Sequence, residues 1–273
     1  DHSAREEGCA YQFDHSLMVE LPVLHKRRVL TADISLGSFD AQINAMADYA
    51  AAHRSSYVCC VNAHMTVEAK EPGFANVVNN ADFATPDGMP VLKVLNQFHK
   101  VGQERVAGND IFPALLTKAA REGLGVFLLG GSEEVQDLIV ERASKELPTL
   151  RIVGRYSPPF APLEKMDLAA DADRINKTGA HIIMVSLGCP KQEKWMAAMK
   201  GKVNGIMLGI GGAFLLYAGK DKRAPKWMRD LSLEWVYRLW LEPRRLWKRY
   251  VVTNSLFIVL YLQELVRWPL KKW

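Results

Sequence analysis

From about Arg28 to Leu216, short apolar runs alternate with segments whose apolar residues recur every three to four positions. The runs at 29–34, 57–61, 83–85, 125–129, 151–154, 181–186 and 205–208 are bounded by turn residues and predict strands. Between them, 39–53, 110–122, 132–146 and 190–199 carry helical periodicity. Alternation at this spacing predicts an α/β fold, a Rossmann-like and mostly parallel sheet with helices on both faces. The segment 156–162, with Pro158, Pro159 and Pro162, reads as an exposed turn ahead of a helix beginning near Leu163. After Gly219 the strands stop. Residues 226–241 read as one helix, and Pro243 can open a second that runs to about Arg267. Three parts follow: an N-terminal extension (1–27), an α/β domain (28–219) and a helical appendage (220–273).

Charge changes the picture of the appendage. The 273 residues carry a net charge of +5, yet 220–273 hold thirteen Lys/Arg against five Asp/Glu, a local +8 that leaves −3 for the rest. Six of the seven tryptophans (Trp227, Trp235, Trp240, Trp247, Trp268, Trp273) lie there too. A basic, aromatic tail on a slightly acidic body points to an anionic partner, a lipid surface or nucleic acid. Trp268, Pro269, Lys271, Lys272 and Trp273 suit anchoring at headgroup level, and an exposed apolar tail also offers a surface to a second copy. No apolar stretch is long enough to span a bilayer. The first 28 residues lack the apolar core of a signal peptide. The four cysteines form no disulfide pattern: Cys59 and Cys60 are adjacent, and Cys9 and Cys189 stand alone. Reduced thiols favour the cytoplasm.

In an open α/β sheet, ligands bind beyond the carboxyl ends of the strands. Asn62, after the run at 57–61, either contacts sugar hydroxyls or a base edge or caps the next helix. Asp87, in Thr85-Pro86-Asp87-Gly88, is either a general base or an ordinary turn residue. Gly130 and Gly131 could bring backbone N–H groups to a diphosphate at a helix start, although any tight strand–helix turn looks similar. Gln192 and Glu193 follow Pro190 in the first turn of a helix, where Glu193 equally suits the helix dipole. The glycines around Gly211 permit close backbone approach, to a ligand or to a neighbouring element. Neither a dinucleotide-binding glycine fingerprint nor a metal-ligand spacing occurs, so a reaction without a metal or other cofactor is expected.

In sequence order, several segments resemble the WecG/TagA/CpsF family of bacterial glycosyltransferases, glycosyltransferase family twenty-six. They are the Asn62 strand end, Ala81-Asp82 through Pro90, Arg105-Val106-Ala107-Gly108-Asn109-Asp110 and Leu129-Gly130-Gly131. Further on come Gly188-Cys189-Pro190-Lys191-Gln192-Glu193, Arg223 through Met228, and Leu233-Glu234-Trp235 through Arg245. Cys60 stands where members often carry Thr, and Lys248 where they carry Arg. The resemblance implies inverting, metal-independent transfer of a hexose or N-acetylhexosamine. The donor would be a UDP-sugar (UDP-glucose, UDP-ManNAc or UDP-ManNAcA) and the acceptor a polyprenyl-diphosphate-linked sugar. The setting would be the cytoplasmic face of the bacterial inner membrane, in exopolysaccharide or other surface-polysaccharide synthesis. It makes Asp87 the base and Arg238 and Arg245 anion-binding groups. The substrate-binding set is then Asn62, Thr85, Asp110, Gly130, Gly131, Gln192, Glu193, Gly211, Arg238 and Arg245. A non-catalytic membrane-surface or nucleic-acid-binding protein is the alternative, but it leaves the Asp87 turn and the strand-end polar residues without purpose.

Overall fold

The computed structural model describes residues 20–230 and 233–269, except for the side chains of residues 229, 230 and 245. The strands are β1 (Lys26–Val29), β2 (Ala32–Ser35), β3 (Ser56–Val61), β4 (Phe83–Pro86), β5 (Gly125–Gly130), β6 (Arg151–Tyr156), β7 (Ile182–Ser186) and β8 (Ile206–Gly209). The helices of the first half are α1 (Phe39–Ala51), α2 (Ala63–Glu68), α3 (Pro72–Asn79), α4 (Met89–His99) and α5 (Gly108–Glu122). Then come α6 (Glu133–Glu146), α7 (Leu168–Asn176), α8 (Lys191–Met199) and α9 (Ala213–Tyr217). The tail holds α10 (Lys226–Asp230), α11 (Glu234–Leu241) and α12 (Pro243–Arg267).

Strands β3 to β8 form one parallel sheet in the order β4-β3-β8-β7-β5-β6. Successive side chains of a strand point to opposite faces. Val58, Leu128, Met184 and Leu208 therefore pack under α1, α5 and α9, while Tyr57, Phe127, Ile183 and Met207 pack under α3, α7 and α8. Both faces are covered, which is why these strands, except the half-exposed edge strand β6, read as apolar runs. The first predicted strand, 29–34, is instead the hairpin of β1 and β2. Leu30 turns the chain at φ 54°, so an apolar residue stands where a turn residue would mark the hairpin. The Ser35 hydroxyl accepts from the Ala84 N–H and ties this hairpin to β4.

The tail also departs from expectation: 226–241 is two helices, α10 and α11, where one was predicted. Helix α12 lays a stripe of Leu246, Thr253 and Phe257 onto the domain. The Tyr261 hydroxyl donates to Gln97 Oε1 (3.0 Å), and Trp268 packs against Phe98 and His99. Trp268, expected at headgroup level, is thus half-buried against α4. Residues 271–273 and Cys9 lie outside the described residues. Trp247, Val251, Ile258, Val259 and Val266 remain exposed on the other side of α12. Among the described residues no helix is long and apolar enough to cross a membrane.

Candidate active site

Asp87 follows β4 directly. Its N–H donates to the carbonyls of Thr85 (2.9 Å) and Val61 (3.0 Å), which closes the turn against the end of β3. The segment 100–107 returns to the same point: Val106 N–H donates to Pro86 O (3.1 Å) and Gly108 N–H to Asp87 Oδ1 (3.2 Å). That return sets Arg105 beside the acid. From the other side, the loop after β8 and helices α11 and α12 complete a crevice of about 490 Å³. It lies over the carboxyl ends of β3, β4, β7 and β8, and its lining includes Asn62, Asp87, Gln192, Glu193, Gly211 and Arg238.

Burial pushes the Asp87 carboxyl up to about 6. The positive charges of Arg105 and Arg238 and the Gly108 N–H oppose that rise, and Glu234 adds to it. Asp87 is thus mostly ionised at neutral pH while still basic enough to take a proton. His64 goes the other way: burial and Arg249 hold it near 4, neutral at pH 7. Its Nδ1 lies 3.5 Å from Thr253 Oγ1, at the contact between α2 and α12. Glu193 is fully buried and its carboxyl is raised by desolvation. Its Oε1 accepts from Gln192 Nε2 (2.8 Å), and its Oε2 has no partner among the described residues. Gln192 Oε1 accepts from Gly188 N–H (3.2 Å), so both ends of that amide are held.

Charges cross from tail to domain in an alternating chain. Arg223 Nη2 pairs with Asp110 Oδ1 (2.5 Å), and Asp110 Oδ2 with Arg105 Nη2 (3.3 Å). Arg105 Nη1 pairs with Glu234 Oε2 (3.2 Å), and Glu234 Oε1 with Arg238 Nη2 (3.3 Å). Arg105, Arg223 and Glu234 line the crevice, but local spacing gave none of them a role. The only signal for Arg105 was its place in a matched motif, because it sits in irregular chain.

The remaining expected site residues fall elsewhere. Asn62 both lines the crevice and caps α2, accepting from Met65 N–H (3.1 Å). Thr85 is fully buried opposite Cys60 in the β3–β4 register and does not line the crevice. Asp110 sits behind the crevice wall, between its two arginines. Gly130 and Gly131 are outside the lining. Gly131 N–H already donates to Ser186 O (3.0 Å), and a Cβ on Gly130 (φ 85°) would stand 2.3 Å from that same oxygen. Close packing of β5 on the end of β7 accounts for Gly130, and a left-handed backbone (φ 68°) facing Phe214 accounts for Gly131. The side chain of Arg245 lies outside the described residues.

A deep acid beneath a cationic rim, at the strand ends of an open parallel sheet, defines an α/β ligand-binding protein whose site is closed by its own tail. Comparison with known proteins makes this specific. The family model of the Glycosyl transferase WecG/TagA/CpsF family matches residues 27–271. The chain is also 34% identical over 181 residues to the N-acetylglucosaminyldiphosphoundecaprenol N-acetyl-beta-D-mannosaminyltransferase of Bacillus subtilis (strain 168). That match covers 66% of this chain and 68% of the relative. The chain belongs to the WecG/TagA/CpsF family and is a glycosyltransferase.

Proposed function

We propose that this glycosyltransferase moves a sugar from a UDP-sugar to a polyprenyl-diphosphate-linked sugar, by an inverting displacement in which Asp87 is the base. The observation that carries the reading is Asp87 itself, set deep in the crevice with its carboxyl raised to about 6 and arginines on either side. The acceptor hydroxyl gives its proton to the Asp87 carboxylate as its oxygen attacks the anomeric carbon. The electron pair of the breaking bond leaves with UDP from the opposite face. Negative charge then grows on the diphosphate, and guanidinium forks suit its oxygens. Arg105 and Arg238 supply them in the crevice, with Arg249 on its wall. The acceptor class is supported by the relative, whose name specifies an N-acetylglucosaminyl-diphospho-undecaprenol. The donor is one of UDP-glucose, UDP-ManNAc and UDP-ManNAcA. The exposed apolar side of α12 and the basic tail support docking on the anionic, cytoplasmic surface of the inner membrane, where such an acceptor resides.

The test is transfer of radiolabelled sugar from each UDP-sugar to a short polyprenyl-diphosphate sugar, by wild type and Asp87→Asn. The variant is expected to lose about 10²–10⁴-fold in rate while UDP still raises its melting temperature. Undiminished transfer removes Asp87 as the base.

A further inference from the structure

We infer that Glu234 is a positioning residue of the transfer site, the tail carboxylate that fixes Arg105 and Arg238 beside Asp87. Each of its oxygens takes a different guanidinium, Oε2 that of Arg105 and Oε1 that of Arg238. Arg105 is gripped on its other arm by Asp110, which also binds Arg223. A guanidinium held on both arms by carboxylates from separate elements is fixed in its plane. Glu234 and Arg105 are both largely shielded, unlike the exposed ion pairs that contribute little.

The arrangement resolves a conflict. Cations are needed where a leaving diphosphate accumulates charge, yet cations beside a carboxylate weaken it as a base. The groups acting on Asp87 are Arg105, Arg238, Glu234, the Gly108 N–H and its own burial. Cys60 also faces it, as a thiol kept neutral by burial. Among these charged neighbours Glu234 alone opposes the arginines, so it keeps them in place while limiting their effect on the acid. Because Glu234 belongs to α11, its charge reaches Asp87 through the docked tail.

This rests on Asp87 as the base, and the experiment separates the two ideas. In the full chain, Glu234→Gln removes the charge but keeps the size, whereas Glu234→Asp keeps the charge and loses reach. Glu234→Gln is expected to move the acidic limb of the kcat/KM profile to lower pH, on the order of half a unit or more, and to raise the donor KM severalfold. Glu234→Asp is expected to raise KM with the limb in place. The Asp87 carboxyl is titrated by ¹³C NMR in the unliganded protein, its resonance assigned with Asp87→Asn. It should shift with Glu234→Gln even in a variant too slow to assay. An unmoved limb together with an unmoved carboxyl titration overturns the role of Glu234. Full activity of Asp87→Asn overturns the parent reading instead, and the NMR titration still reports on Glu234.

Discussion

Replacing Gly209 with alanine places a methyl group at the carboxyl end of β8, where the strand meets α8. The added Cβ would lie 2.7 Å from Met196 Cε and 3.1 Å from Gln192 Nε2. Carbon atoms pack at roughly 3.5–4.0 Å, so the overlap with Met196 is close to an ångström. Methionine can rotate away, but Met196 is fully buried and must displace something else. Overpacking of this kind costs about 1–3 kcal/mol. The Gln192 amide is the other way out. Swinging it aside breaks its bond to Glu193 and takes the amide donor from that buried acid, also about 1–3 kcal/mol. By either route, a loss of about 2 kcal/mol lowers the melting temperature by roughly 3–7 °C for a chain of this size. Thermal melting and donor KM are the two measurements, and both should worsen because Gln192 and Glu193 line the crevice. Met196→Ala in the same chain should recover part of the stability, as the new methyl fills the space it vacates. Unchanged melting and unchanged KM in Gly209→Ala would refute the reasoning that no side chain fits here between β8 and Met196 and Gln192.

Asp87 also predicts an opposition between stability and activity. Its carboxyl is raised from an ordinary 3.8 to about 6, so the folded state holds the proton to higher pH than the unfolded chain does. Stability from this residue is therefore lost between about pH 4 and pH 6 and stays lost above. Asp87→Asn should melt higher than wild type at pH 8, by on the order of 1–3 kcal/mol, with the advantage fading towards pH 4. On the tail, Val251→Glu with Ile258→Glu charges a face that contacts solvent. Flotation with anionic vesicles should fall while melting stays within about 0.5 kcal/mol per site; undiminished flotation counts against membrane docking through α12.

The sheet was legible because its strands are buried on both faces, so 57–61, 125–129 and 181–186 stand out as apolar runs between turn residues. The β1–β2 hairpin was not, since Leu30 and Thr31 make the turn with no Asn-Gly or Pro to mark it. The break between α10 and α11 similarly has no glycine or proline within 226–241. For the site, the strand-end rule located Asn62 and Asp87 because their position follows from topology alone. It also drew in Gly130 and Gly131, where the same strand–turn–helix pattern serves packing. Arg105 and Glu234 escaped because their pairing spans 129 residues and joins an irregular segment to a tail helix. No local period reports such a contact. Burial was equally invisible, and without it neither the raised Asp87 nor the buried Glu193 could be told from turn and helix-end residues.

The crevice has a floor and a wall of different origin. The floor is set by sheet ends and by backbone hydrogen bonds that allow little variation, since the Asp87 turn is tied to β3 and to Gly108. Much of the wall comes from α11 and the first turns of α12, which lie outside the sheet. Replacements at Trp235, Tyr237 or Leu241 would recontour the chamber without disturbing a single strand. The shape of the chamber can therefore change at its periphery while the backbone turn that carries Asp87 stays as it is.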